Sequence, residues 1–146
     1  MNVDVETAID IQCSRLEVAA FASDPNNATI WYKNIKTVEW MTEKPLAVGS
    51  RFAFVAHFLG RRLAYTYQVR EFELGERFVM STTEGPFPME TIYRWADAPD
   101  GGTHMTLINR GEPLGFSKLA APVMSVAMRR ANNKDLKRLK KILEAQ

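Results

Sequence analysis

The chain has 146 residues, 46% of them hydrophobic and 25% charged, which suits one domain over 1–146 with a single core. A net charge of +2 is too small to mark a nucleic-acid binder, and a single cysteine, Cys13, leaves no intramolecular disulfide. The opening Met1-Asn2-Val3-Asp4 has no basic and apolar stretch of a secretory leader, and no apolar run nears the roughly 18 residues of a membrane span. A cytoplasmic protein is therefore the expectation.

In residues 3–11, Val3, Val5, Thr7, Ile9 and Ile11 alternate with mostly polar neighbours. That period predicts a half-buried strand with its odd positions inward. Ser14-Arg15-Leu16-Glu17 then fits a capping box, in which the Ser hydroxyl accepts from a free amide one turn ahead. The short helix that follows is expected to turn Leu16, Ala19, Ala20 and Phe21 inward. Asp24 before Pro25 predicts the cap of a second short helix running to about Tyr32.

From Ile35 to Pro113 the pattern is strand throughout, in segments 35–42, 50–59, 62–73, 77–83, 87–97 and 103–112. Turn signals separate them, among them Val48-Gly49-Ser50, Gly60-Arg61, Leu74-Gly75-Glu76 and Glu84-Gly85-Pro86. Loops this short predict antiparallel neighbours. A long helix is then predicted from about Ser117 to Glu144, beginning or kinking at Pro122. Its second half is amphipathic, with Leu136, Leu139 and Leu143 on one side and Arg130, Lys134, Lys137 and Lys141 on the other. Its first half is almost wholly apolar, which predicts contact on several sides.

The predicted fold class is α+β: a seven-stranded curved antiparallel sheet wrapped around a long C-terminal helix, with two short helices between strands 1 and 2. Only the last helix, at about 40 Å, is long enough to cover one face of such a sheet. A sheet that wraps one rod leaves a cavity between the two.

Several strings carry a resemblance. They are Ala22-Ser23-Asp24-Pro25 followed by Trp31, Val48-Gly49-Ser50-Arg51-Phe52, Tyr93-Arg94-Trp95 followed by Gly101-Gly102-Thr103-His104-Met105-Thr106-Leu107, and the run from Asp135 to Glu144. In this order the chain resembles the START-like, birch-pollen-allergen-like superfamily with the helix-grip fold. Within it, the chain is similar to the polyketide cyclase/dehydrase and lipid-transport branch, the SRPBCC proteins. The resemblance implies a cavity for a hydrophobic molecule. It implies no one function, because the family includes carriers, aromatase/cyclases and quinone-binding chaperones. None of the family's catalytic sets maps onto this sequence.

The alternation nominates the wall of that cavity. Strands supply Phe54, Tyr65, Tyr67, Phe78 and Met80, then Met89, Tyr93, Trp95, Met105 and Leu107, and the helix adds Met124 and Met128. Aromatic rings and flexible methionines suit a small apolar ligand. The same pattern is what a packed core produces, so the residues leave both readings open. Phe52, Phe54, Ala56 and Phe58 share one face of their strand, and Ala53, Val55, His57 and Leu59 the other. Both faces are apolar, so the inward one is not decided. His57, Tyr65, Tyr67 and Tyr93 are weak candidates for moving protons. Asn132 and Asn133 interrupt the apolar side of the helix, where they either meet a polar ligand end or face solvent. Two histidines, one cysteine and no HxxxH or CxxC spacing provide no metal site, and no cofactor motif appears.

The stretch from Arg129 to Glu144 holds seven basic residues against Asp135 and Glu144. This is the ordinary charged face of a helix or a patch for transient docking on an anionic membrane surface. The favoured reading is a carrier, monomer or homodimer, of a lipid, isoprenoid, quinone or aromatic polyketide-like molecule. A cyclase- or dehydratase-like enzyme and a docking module are the alternatives.

Overall fold

The computed structural model describes residues 3–112 and 121–146. Strand β1 (Val3–Ile11) leads into helix α1 (Arg15–Ser23), a 3-10 turn (Pro25–Asn27) and the short helix α2 (Ala28–Trp31). Six strands follow: β2 (Ile35–Trp40), β3 (Arg51–Phe58), β4 (Arg61–Glu73), β5 (Arg77–Glu84), β6 (Met89–Asp97) and β7 (Thr103–Gly111). Helix α3 (Ala121–Glu144) closes the chain. The expected first turn of this helix, from Ser117 with Leu119, lies outside the described residues. Pro122 stands within the described helix, next to its first described residue.

All seven strands form one antiparallel sheet in the order β1-β7-β6-β5-β4-β3-β2. Each hairpin joins neighbours, and β1 returns to pair with β7, Val3 opposite Gly111 and Ile11 opposite Thr103. Register slips by a residue in β2 between Ile35 and Thr37, in β5 at Thr83 opposite Thr66 and Tyr67, and in β4 between Val69 and Glu71. Such bulges bend a strand and raise its twist. They fall in β2, β4 and β5, and past the β4 bulge Phe72 faces inward against Phe78.

Local chemistry explains the starts and turns. The Ser14 hydroxyl accepts the Glu17 amide at 3.3 Å, and the Asp24 carboxylate accepts the Asn26 amide at 3.0 Å. The β3–β4 turn is made by Leu59 and Gly60, both at positive φ, in the manner of the tight turns that suit twisted hairpins. Leu59 is an unusual residue to hold that conformation, while Gly60 is the turn signal the sequence offers.

The core runs along the concave face. Val3, Val5, Ile11, Phe52, Phe78, Tyr93, Met105 and Leu107 from the strands meet Trp31, Met124, Leu136, Leu139 and Leu143. The inward sides of β1, β4, β5, β6 and β7 are those the alternation predicts. Two helix expectations are corrected. In α1 the buried side is Val18, Ala19, Ala22 and Ser23, whereas Leu16 is 60% exposed and Ala20 faces solvent. The short helix is anchored from Val18, two positions later than expected. In α3 the apolar first half is not covered on several sides, because Val123 and Val126 are 51% and 70% exposed. The convex face carries a small apolar cluster of its own, Val79, Ile92 and Ile108.

Helix α3 packs over the concave face and comes closest to it at the β1 side. Its main strand contact is the edge strand β1, and it touches α2. Arg129 donates to the Glu6 carbonyl at 2.8 Å and Lys140 to the Asp10 carbonyl at 2.7 Å, which tie the helix to that strand. The concave surface of β3 to β6 faces the same helix across a gap, through Met128, Ala131, Asn132 and Asp135.

Candidate functional site

Between that concave surface and the helices lies a cavity of about 150 Å³. Its strand wall is Phe54, Ala56, Phe58, Leu63, Tyr65, Tyr67, Phe78, Met80, Met89, Thr91, Tyr93 and Asn109, with Phe87 beside them. The α1–α2 segment contributes Ala22 to Pro25, Ala28 and Tyr32, and α3 contributes Met128, Ala131, Asn132 and Asp135. A half-buried rim runs through Asn34, Ile35, Ala56, Phe58, Tyr65 and Ala131. An apolar cavity of such volume is close to what one aromatic ring occupies.

Bulges and small residues shape this space. The inward face of β3 is Phe52, Phe54, Ala56 and Phe58, which settles the face its sequence left open. Tyr65 and Phe87 meet edge to face at 6.0 Å, and Tyr65 and Tyr67 lie 5.9 Å apart. The Tyr65 ring is seated against Gly85, where any Cβ would meet its Cδ1 at 2.5 Å.

Polar groups converge on one side. The hydroxyls of Tyr32 and Tyr93 are 2.6 Å apart and share a hydrogen bond. Asp135 is 3% exposed, and its Oδ1 accepts the Lys33 backbone amide at 3.1 Å. Asn132, one turn earlier on the same helix face, is 5% exposed, and its Nδ2 has no hydrogen-bond partner among the described residues. On the strand side the Thr91 hydroxyl donates to Asn109 Oδ1 at 2.9 Å.

Burial controls how these groups titrate. It raises the Asp135 carboxyl from its usual 3.8 to about 6, against the opposing pull of the Lys33 amide and the Arg138 and Lys33 charges. Burial also pushes the Tyr67 phenol up to about 12, opposed by Thr91. Tyr32, Tyr65 and Tyr93 are raised for the same leading reason. At neutral pH all four phenols keep their protons and act as hydrogen-bond donors.

Eight of the nominated wall residues line the cavity: Phe54, Tyr65, Tyr67, Phe78, Met80, Met89, Tyr93 and Met128. Trp95, Met105, Leu107 and Met124 do not. They are buried in the core, where the closeness of α3 to β1 leaves no space above β7 and the adjoining end of β6. His57 is corrected as well: it stands on the convex side of β3, exposed, opposite Arg62. His104 is likewise exposed and pairs with Asp10 at 2.6 Å. Cys13 donates to the Leu143 carbonyl at 3.4 Å, and burial raises its thiol, so it is held as a thiol against the helix end. Tyr32 and Asp135 were missed by the strand alternation. Asp135 follows Met128 and Asn132 at spacings of four and three, a helical signal masked by the basic run around it.

The family model described as polyketide cyclase / dehydrase and lipid transport matches residues 2–144. No curated protein matches the sequence. Among solved structures, the protein TTHA0849 of Thermus thermophilus superposes with a TM-score of 0.83 at 20% identity, over 98% of this chain and 99% of that one. A START superfamily protein from Mycobacterium smegmatis gives 0.83 at 13% identity, over 97% of both chains. Zhui aromatase/cyclase from Streptomyces sp. R1128 gives 0.80 at 14% identity, over 99% of this chain and 94% of that one. These likenesses establish the helix-grip architecture.

Proposed function

Because this chain belongs to the polyketide cyclase/dehydrase and lipid transport family, we propose that its cavity binds and carries a small hydrophobic molecule. The observation that carries this reading is the space between β3–β6 and α3, walled by Phe, Tyr and Met side chains. Binding there draws its free energy from apolar burial, at ~25 cal/mol per Å² before ordering costs. The 150 Å³ volume favours a single ring or a short branched chain over a long lipid tail.

The test is native mass spectrometry of protein purified from its own host. The expected result is a noncovalent adduct that organic solvent releases, and that an Ala131→Phe variant with native circular dichroism lacks. Retention of the adduct by that variant, or a bare wild type that takes up no apolar ring compound, overturns the reading.

A cyclase- or dehydratase-like enzyme is the second reading, and one observation favours it. Four protonated phenols face a carboxyl group that titrates near neutrality, the pairing that general acid–base chemistry uses. His57 has no part in it. A bound molecule whose mass changes on the wild-type protein but not on Asp135→Asn would favour the enzyme, and an unchanged mass on both would favour the carrier.

A further inference from the structure

The polar side of the cavity has unused hydrogen-bonding capacity, and its arrangement is selective. Asn132 is 5% exposed with an amide nitrogen that finds no acceptor among the described residues. Leaving such a donor unpaired costs about 1–3 kcal/mol, so its place on an apolar wall calls for an acceptor from outside the chain. The Tyr32–Tyr93 pair shares one hydrogen bond between two hydroxyls, so one O–H proton remains to donate. Asp135, on the same face of α3 as Asn132, accepts the Lys33 amide through Oδ1 and has acceptor capacity left.

Resting on the ligand-binding reading above, we infer that Asn132, Asp135 and the Tyr32–Tyr93 pair form a polar subsite for an uncharged ligand bearing both a carbonyl oxygen and a hydroxyl group. The carbonyl accepts from Asn132 Nδ2 and from the free phenol proton. The hydroxyl donates to the Asp135 carboxylate. The apolar body of the ligand then points toward Phe54, Tyr65 and Met89.

Charge narrows the class further. A fatty acid or other anion would set a second negative charge beside Asp135 in an apolar wall, which is unfavourable. An ammonium would satisfy Asp135 but leave the Asn132 amide unpaired. A plain hydrocarbon satisfies neither.

Calorimetric titration with three ring compounds tests this, using 3-hydroxyacetophenone, 3-ethylphenol and ethylbenzene. A cavity that works by apolar burial alone binds ethylbenzene best, because the other two must shed more water. The subsite predicts the reverse order, with 3-hydroxyacetophenone at least about tenfold tighter than ethylbenzene. In Asn132→Leu the advantage of 3-hydroxyacetophenone over 3-ethylphenol is expected to fall severalfold, the phenol's hydrogen bond remaining, while ethylbenzene binding stays. Equal affinities, ethylbenzene binding tightest, or a carbonyl preference undiminished in Asn132→Leu overturns the subsite and leaves the apolar cavity standing. Failure of all three compounds to bind the wild type overturns both. The wild-type comparison decides the subsite even if the variant does not fold.

Discussion

Asp135 shows what the polar side of the cavity costs the fold. A carboxyl group whose folded-state value rises from 3.8 to about 6 favours folding in its protonated form. The stability it contributes is present below about pH 4 and is lost as pH rises through about 6. The shift corresponds to roughly 3 kcal/mol. Asp135→Asn keeps an acceptor for the Lys33 amide and removes the charge. It is expected to raise the melting temperature by several degrees at pH 7.5 and to match wild type near pH 3.5, read by thermal denaturation at both values. A residue kept against such a cost fits a group retained for what it binds. The reading of Asp135 from sequence failed for a physical reason. Seven cations surround it in the chain, and only its spacing from Met128 and Asn132 places it on the cavity side. Tyr65, Tyr67 and Tyr93 were legible because strand period fixes which way a side chain faces. Trp95 and Met105 were misassigned because period cannot tell a packed position from one beside a void.

At the level of elements, each strand and the order of helices were readable because turns and alternation are local signals. The two short helices were placed correctly, but the phase of α1 was not. Its nine residues offer Leu16, Val18, Phe21 and several alanines, too many apolar positions for a single stripe to stand out. How close α3 comes to β1, and how far it stands off β3 to β6, is a tertiary fact with no local signature. The β6–β7 hairpin shows how tightly the elements meet. A Cβ on Gly102 would lie 2.6 Å from the Ile11 carbonyl oxygen at the end of β1. Backbone cannot rotate aside as a side chain can. Gly102→Ala is therefore expected to destabilise the fold by about 1–3 kcal/mol, seen as a lower denaturant midpoint with an unchanged slope.

For the whole molecule, the question is what the basic helix does. Arg129 and Lys140 are engaged with β1, and Lys140 also pairs with Glu144 at 2.7 Å. Arg130, Lys134, Lys137 and Lys141 are exposed. Among the described residues no helix is long and apolar enough to cross a membrane. Spread along a solvated face, these cations are expected to give no co-sedimentation with vesicles of phosphatidylcholine and phosphatidylserine at physiological salt. Robust binding that Lys137→Glu with Lys141→Glu abolishes would instead establish surface docking.

Trp31 is fully buried, yet its ring sits 4.0 Å from that of Tyr32, which faces the cavity, and 5.8 Å from that of Tyr93. The indole is thus a built-in optical probe one ring removed from any guest. Filling the space is expected to alter its emission, and Trp31→Phe to weaken that response, with Trp95 at 6.0 Å from the Tyr93 ring carrying the remainder, while Trp40→Phe leaves it. Occupancy can then be followed by light alone, without a label or foreknowledge of the guest.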